Sequence, residues 1–129
     1  MSDNEYILVI PGTVVRNPTG GTELFRVVGF NYLSPSPLIL PDAMVIGQAI
    51  VRCGIKIVTR FDDPSATILL GTPALPSRLM GASDSRPSMA DQYENDILDV
   101  FAVNAPLQLT INPGASTQGS GYVFYQIEG

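Results

Sequence analysis

Acidic residues cluster between positions 84 and 99 of the sequence. They are Asp84, Asp91, Glu94, Asp96 and Asp99. Two carboxylates roughly 5–10 Å apart across a sugar can hydrolyse a glycosidic bond, one of them as general acid. Asp96 and Asp99 are three residues apart, so in a β-strand their side chains point to opposite faces. We therefore predict a solvated loop that leads into a strand, with Asp99 hydrogen-bonded near its edge, and no enzyme.

Two neighbouring acids, Asp62 and Asp63, could offer oxygen ligands to Ca²⁺. The sequence places no third spaced acid and no glycine-containing loop beside them. With Pro64 and Ser65 they have the composition of a turn, in which aspartate side chains accept backbone hydrogen bonds and proline fixes φ. We predict a capped turn that joins two strands as a hairpin, and no metal site.

The chain contains no histidine and a single cysteine, Cys53. Without histidine it lacks the commonest general base at neutral pH, the partner of a Ser–His or Cys–His pair and the usual nitrogen ligand of metals. Cys53 lies within a strand pattern, which favours a small buried side chain over a reactive thiol. We predict no cofactor.

Glycine-rich and aromatic residues offer two further kinds of site. Two stretches, PTGG (18–21) and GASTQGSG (114–121), are rich in glycine. A glycine-rich loop binds phosphate when it directly precedes a helix, and no helix is predicted after either stretch. We therefore predict that both are turns and that the second is an exposed loop tip. A sugar could stack on exposed aromatic rings, but tryptophan is absent, and core packing or subunit contacts explain these rings equally well. The candidate rings are Tyr6, Phe30, Tyr32, Tyr122 and Phe124.

Charge and hydropathy exclude several classes of partner. The net charge is −5 and the seven basic residues are scattered, whereas a nucleic-acid or anionic-membrane surface requires a basic patch. No apolar run reaches the roughly 20 residues of a membrane span. The acidic N-terminus does not resemble a signal peptide. With 45% hydrophobic residues, 129 residues predict one packed domain.

Strand patterns dominate the sequence. Residues 48–61 alternate between an apolar and a polar set, which predicts one long strand with a bulge or bend at Gly54. The apolar set is Ala49, Val51, Cys53, Ile55, Ile57 and Phe61, and the polar set is Gln48, Arg52, Lys56 and Arg60. Shorter runs at 5–12, 23–30, 107–111 and 121–128, and a central strand at 96–103, are separated by turn residues. We predict an all-β, antiparallel sandwich with one helical turn at 75–83, whose Leu75, Leu79 and Met80 close an open end.

The chain divides unevenly. Residues 1–45 hold apolar runs between loops and are predicted to form an N-terminal arm and edge strands, with 46–129 as the compact core. Pro35, Pro37 and Pro41 keep the link extended. The alternative is that residues 1–45 complete the sandwich.

The order of elements after residue 46 carries a resemblance. A long strand ending IKIVTRFDD is followed by ATILLGT, the segment PALPSRLMGASD, an acidic strand, LQLTI and a glycine-rich turn into GYVFYQIEG. This order resembles the small jelly-roll proteins of tailed-bacteriophage virions, in particular capsid decoration (cement) proteins. The last segment matches at Ala115, Gly119, Gly121, Val123 and Tyr125. The similarity covers about residues 46–129 and includes no catalytic signature.

The resemblance implies a structural protein on the outer capsid surface of a virion, made in the host cytoplasm. It would bridge neighbouring subunits of the major capsid protein as a homodimer or homotrimer, with no small-molecule substrate. We expect apolar side chains of the first 45 residues to contact the partner, namely Tyr6, Leu8, Tyr32, Leu38, Ile39 and Leu40. The alternative is a tail, baseplate or head-fibre module that binds carbohydrate or a host receptor.

Overall fold

The computed structural model describes residues 13–16 and 24–129. This part of the chain forms nine β-strands and no helix, and it holds no helix suited to crossing a membrane. The strands are β1 (Thr13–Arg16), β2 (Leu24–Asn31), β3 (Leu38–Met44), β4 (Ala49–Thr59), β5 (Thr67–Gly71), β6 (Gln92–Asn95), β7 (Asp99–Val100), β8 (Ala105–Asn112) and β9 (Ser120–Glu128).

The strands form two antiparallel sheets that pack face to face. One sheet has the order β1-β2-β9-β4-β6, with β7 pairing β4 beside β6, and the other has the order β3-β8-β5. The predicted all-β, jelly-roll-like sandwich is confirmed. The chain changes sheet at every connection from β2 to β9 except the one between β6 and β7.

These crossings correct the predicted hairpin at Asp62–Ser65. That turn connects β4 of one sheet with β5 of the other, and the two strands pair with different neighbours. The connection from 60 to 66 is longer than the two-residue loop of a tight hairpin, so it can span the gap between the sheets. Turn residues predict where the chain reverses, but they do not predict which strand the following strand pairs with.

The core between the sheets follows the predicted alternation of β4 only in part. Register shifts between Ile50 and Arg52, and again between Ile57 and Thr59. Each bulge changes which face the next side chain takes. Ile50 therefore enters the core, and Val51, which was predicted to do so, is only half-buried.

Gly54 lies in regular register opposite Phe124, so the pairing of β4 with β9 has no bulge at this residue. Its backbone is instead covered by the Phe124 ring, which packs with Phe25 at a centroid distance of 5.8 Å. A Cβ at position 54 would lie 2.7 Å from Phe124 Cε2 and 2.6 Å from the carbonyl oxygen of Tyr93. Glycine is required here because an aromatic ring crosses the strand.

Two predicted elements are wrong. Residues 75–83 form turns, because Leu70 exchanges backbone hydrogen bonds with Met80 and the segment lies against β5. Leu79 and Met80 do fill the core, whereas Leu75 is exposed. The predicted central strand at 96–103 is reduced to the two residues of β7; Phe101 is buried, whereas Leu98 and Val103 are exposed.

The N-terminal region contributes to both sheets. Strand β2 lies between β1 and β9, and β3 forms one edge of the second sheet. Residues 24–44 thus complete the sandwich, while residues 1–12 lie outside the described ranges. The division at residue 45 stays a prediction.

Replacing Gly54 with alanine is expected to lower the free energy of unfolding by roughly 1–3 kcal/mol, since the new methyl group overpacks the site. The shift in the urea midpoint measures the loss. Gly81→Ala is the matched control, because its Cβ would meet only Asp84 Oδ2 at 3.7 Å. Equal midpoints for the two variants would contradict the packing argument.

Candidate functional site

The residues predicted to bind a partner occupy different environments. Tyr6 and Leu8 lie outside the described residues. Alternation along β3 turns Ile39 outward, where it is 59% exposed, and turns Leu38 and Leu40 inward. Leu40 is 4% exposed and packs within the core, so it cannot contribute to a contact surface.

Tyr32, the sixth predicted contact residue, is half-buried and packs against the edge of the core. Its backbone N–H donates to the carbonyl oxygen of Gly119 at 2.9 Å. Of the predicted set, Ile39 is therefore the one described residue that presents most of its side chain to solvent.

A carboxylate joins the two sheets within the sandwich. Asp42 of β3 accepts hydrogen bonds from Arg26 Nε at 2.7 Å and from the Tyr125 hydroxyl at 2.8 Å, both on the other sheet. Burial acts to raise the pKa of Asp42, but the hydrogen bonds from Arg26 and then Tyr125 outweigh it and hold that pKa below its usual value. Asp42 is thus ionised and paired. No role was predicted for it from the sequence.

Burial, followed by the neighbouring Asp42 carboxylate, raises the pKa of Tyr125 far above its ordinary range. The phenol therefore stays protonated and serves as a donor. Arg26 and Tyr125 both donate to Asp42, and these hydrogen bonds hold its carboxylate ionised between the two sheets. The arrangement stabilises the sandwich.

The predicted acidic cluster is dispersed over separate contacts. Asp99 forms a bidentate pair with Arg78 at 2.7 and 2.8 Å, as expected for a hydrogen-bonded residue at a strand edge. Glu94 pairs with Arg52 at 2.9 Å, and Asp84 accepts from the Gly81 N–H at 2.7 Å. Within the described ranges, no group of three or more potential ligands could hold a metal ion.

Asp63 caps its own turn, as predicted, and both Asp62 and Asp63 hold the loop between β8 and β9. Asp63 accepts from the N–H groups of Ser65 and Ala115, at 2.8 and 2.6 Å. Asp62 accepts from the Thr117 N–H at 2.7 Å and from its hydroxyl at 2.5 Å. Hydrogen bonds from Thr117 lower the pKa of Asp62, and those from Ala115 and then Ser65 lower the pKa of Asp63.

Cys53 is fully buried, as predicted, with Sγ facing the carbonyl oxygens of Leu79 and Asn95. Burial, followed by the negative charges of Asp84, Asp96 and Asp99, raises the pKa of its thiol to about 12. The thiol is therefore protonated at neutral pH.

An exposed apolar surface lies at the end of the sandwich where β4 begins. We call it the end surface; its side chains are between 53% and 71% exposed. They are Val45, Ile46, Leu98, Val100 and Val103. These five are half of the ten exposed large hydrophobic side chains among the described residues, so apolar exposure is concentrated here.

Backbone contacts bring the two parts of the end surface together. The Gly47 N–H donates to the Phe101 carbonyl at 2.9 Å, and the Phe101 N–H donates to the Gln48 carbonyl at 2.8 Å. Ala49 pairs with Val100 in the sheet. This surface was not predicted from the sequence, because the apolar run at 96–103 is equally typical of a buried strand. The available signal was Val45-Ile46 directly before a turn glycine.

A cleft of about 560 Å³ opens between the connection at 64–67 and the segment 82–93. Tyr93 lines it, and its hydroxyl lies 3.0 Å from the carbonyl oxygens of Arg86 and Met89. Ser65, Asp91 and Arg86 add polar groups. Proline, alanine and methionine side chains complete a lining that is partly polar and partly apolar.

Chains of two phage capsids share this fold. A chain of the acidic stable capsid structure of Helicobacter pylori bacteriophage KHP30 superposes with a TM-score of 0.64 and 7% sequence identity, over 81% of this chain and 86% of that chain. A chain of the capsid asymmetric unit of cyanophage Pam1 superposes with a TM-score of 0.58 and 15% identity, over 98% and 96%. No protein-family model and no curated protein matches the sequence.

Asp42→Asn is expected to reduce the free energy of unfolding by about 2 kcal/mol, the usual range for a hydrogen bond to a charged group. Denaturant unfolding at neutral pH measures it. Glu94→Gln provides the control, because the Arg52–Glu94 pair is more exposed and such pairs contribute about 0–1 kcal/mol. Equal losses in the two variants would contradict the special role of Asp42.

The same variant changes the pH dependence of stability. An aspartate in the unfolded chain has a pKa of about 3.9, and the pKa of folded Asp42 is lower. The stability that ionised Asp42 contributes is therefore complete above the unfolded pKa and is lost as pH falls through the folded pKa. Unfolding of Asp42→Asn should therefore depend less on pH below about 4. Asp62 and Asp63, whose pKa values are also lowered, should retain part of the slope.

Proposed function

We propose that this chain is a structural protein of a phage virion, and specifically a decoration protein that binds the outer surface of the capsid. The observation that carries the proposal is the fold that it shares with chains of two phage capsids, over most of both chains in each case. The resemblance of residues 46–129 to cement proteins supports the finer role. The partner would be the major capsid protein.

The mechanism is thermodynamic. A protein that binds the assembled shell, and not its dissociated subunits, stabilises the shell by mass action. A homodimer or homotrimer placed on a symmetry axis would contact several shell subunits at once, and the second contact gains from the high effective concentration created by the first. Weak individual contacts are then sufficient.

Two features of the N-terminal half suit attachment. Tyr6 and Leu8 remain the predicted contact residues of the first segment. Ile39 projects from β3, an edge strand whose described pairing is with β8 alone. An extended chain of the partner could add to that edge along residues 38–40, up to Pro41, which has no N–H to donate.

The cleft beside Tyr93 favours a second candidate, a tail, baseplate or head-fibre module that binds carbohydrate. Serine, arginine and aspartate side chains at its wall could donate and accept hydrogen bonds with sugar hydroxyls. A glycan array tests this candidate directly, because a protein that only decorates a shell should bind no sugar.

Co-sedimentation with empty expanded capsids of the same phage, prepared without this protein, tests the first proposal. We expect saturable binding at a fixed ratio to the shell protein and a higher capsid melting temperature, because each bound copy stabilises the assembled state. The absence of binding would overturn the proposal, and binding on the glycan array would then favour the second candidate.

The same assay tests the contribution of the first segment. A variant lacking residues 1–12 leaves strands β2 and β3 in place, whereas a longer deletion would remove strands from both sheets. We expect weaker binding by this variant. Unchanged binding would exclude Tyr6 and Leu8 as contact residues.

A further inference from the structure

We propose that the end surface docks a different protein, whose contact surface is apolar and rimmed by lysine or arginine, and not a second copy of this chain. The inference deepens the proposed function and rests on it, since the capsid shell would supply this partner. Its support comes from the rigidity of the surface, its apolar character and the charge at its rim.

The turn Val45–Gln48 is held firmly. The Gln48 N–H donates to the Val45 carbonyl, and the Gln48 side chain accepts from the Val45 N–H, both at 2.9 Å. Gly47 has a φ of 92°, which suits the third position of a type II turn. The Ile46 N–H donates to Asn104 Oδ1 at 2.9 Å. The exposed Val45 and Ile46 side chains are thus presented on an ordered backbone, which lowers the entropy lost on binding.

The second part of the end surface has an equally firm base. Phe101 is buried, and the Arg78 guanidinium lies 3.8 Å above its ring. Arg78 is itself fixed by its bidentate pair with Asp99. Phe101 anchors the segment while Val100 and Val103 on either side stay in solvent. Contiguous apolar exposure on a fixed framework is typical of an interaction site.

Charge at the rim selects the kind of partner. The exposed Glu128 pairs with Ala49 in the sheet beside Val100. Asp96, two residues before Leu98, has a side chain 86% exposed that lies 3.8 Å from Arg52 Nε. Arg52 is shared with Glu94 at 2.9 Å, so this group of three keeps one net negative charge. Arg78, the cation nearest to Val100, is already paired with Asp99. Two copies meeting through this surface would bring like charges together, whereas a basic rim on a different protein would complement them.

The variants Ile46→Asp and Val103→Asp test the proposal, because each places a charge at an exposed position and should leave the fold intact. Binding to empty capsids is measured by co-sedimentation, and the mass of the free protein by light scattering. We expect binding at least about tenfold weaker, the usual effect of disrupting an interface centre. The mass in solution should not change.

Leu33→Asp is the matched control. Leu33 is 75% exposed and lies in a turn after β2, at the opposite end of the sandwich from the end surface. Its variant should bind capsids like the wild type.

Glu128→Lys tests the charge argument and should weaken binding. Raising the salt from about 0.1 M to about 1 M, which shortens the screening length from about 10 Å to about 3 Å, should weaken the wild type and affect Glu128→Lys less.

The outcomes separate this inference from the proposed function. If wild-type protein does not bind capsids, the proposed function fails and the inference with it. If wild type and Ile46→Asp bind equally, the proposed function stands and the end surface is excluded. A lower solution mass for Ile46→Asp would identify a second copy as the occupant and overturn the inference.

Discussion

The sandwich depends on one ionised carboxylate placed between its sheets. Burying a charge costs several kcal/mol unless it is paired, so Asp42 requires both Arg26 and Tyr125 on the facing sheet. The irregular pairing of β3 between Ile39 and Ala43 is the local distortion that accompanies this inward acid. Apolar packing holds the sheets together, and the hydrogen bonds of Asp42 specify how β3 lies across the other layer.

The position of β3 also fixes the exposed turn that carries Val45 and Ile46. Met44, the last residue of β3, is fully buried, and the next residue begins the turn that carries Ile46. The turn is therefore anchored on one side by the core and on the other by the backbone of Phe101. The turn is thus connected rigidly to the core, so its exposed side chains have a fixed arrangement before any partner binds.

The sequence predicts this fold where local rules decide and fails where distant contacts decide. Alternation correctly placed Cys53, Ile55 and Ile57 inside, because those residues lie between two bulges. Bulges depend on how neighbouring strands pair, so Val51 could not be assigned. Turn residues marked the chain reversals, but the choice between pairing and crossing is made by the facing sheet. The end surface was missed for a related reason: β-branched residues favour strands whether a partner covers them or not.

The pairing of β2 with β9 has a consequence for how the protein forms. Leu24 lies opposite Ile127, so the centre of the larger sheet joins residues from near both ends of the sequence. Closing so long a loop costs chain entropy before the strand contacts that stabilise it can form, so this step is slow. During synthesis, residues 24–127 must all have left the ribosome before β2 can pair fully with β9. A copy truncated before Ser120 would lack β9, the strand between β2 and β4, and could not complete the larger sheet.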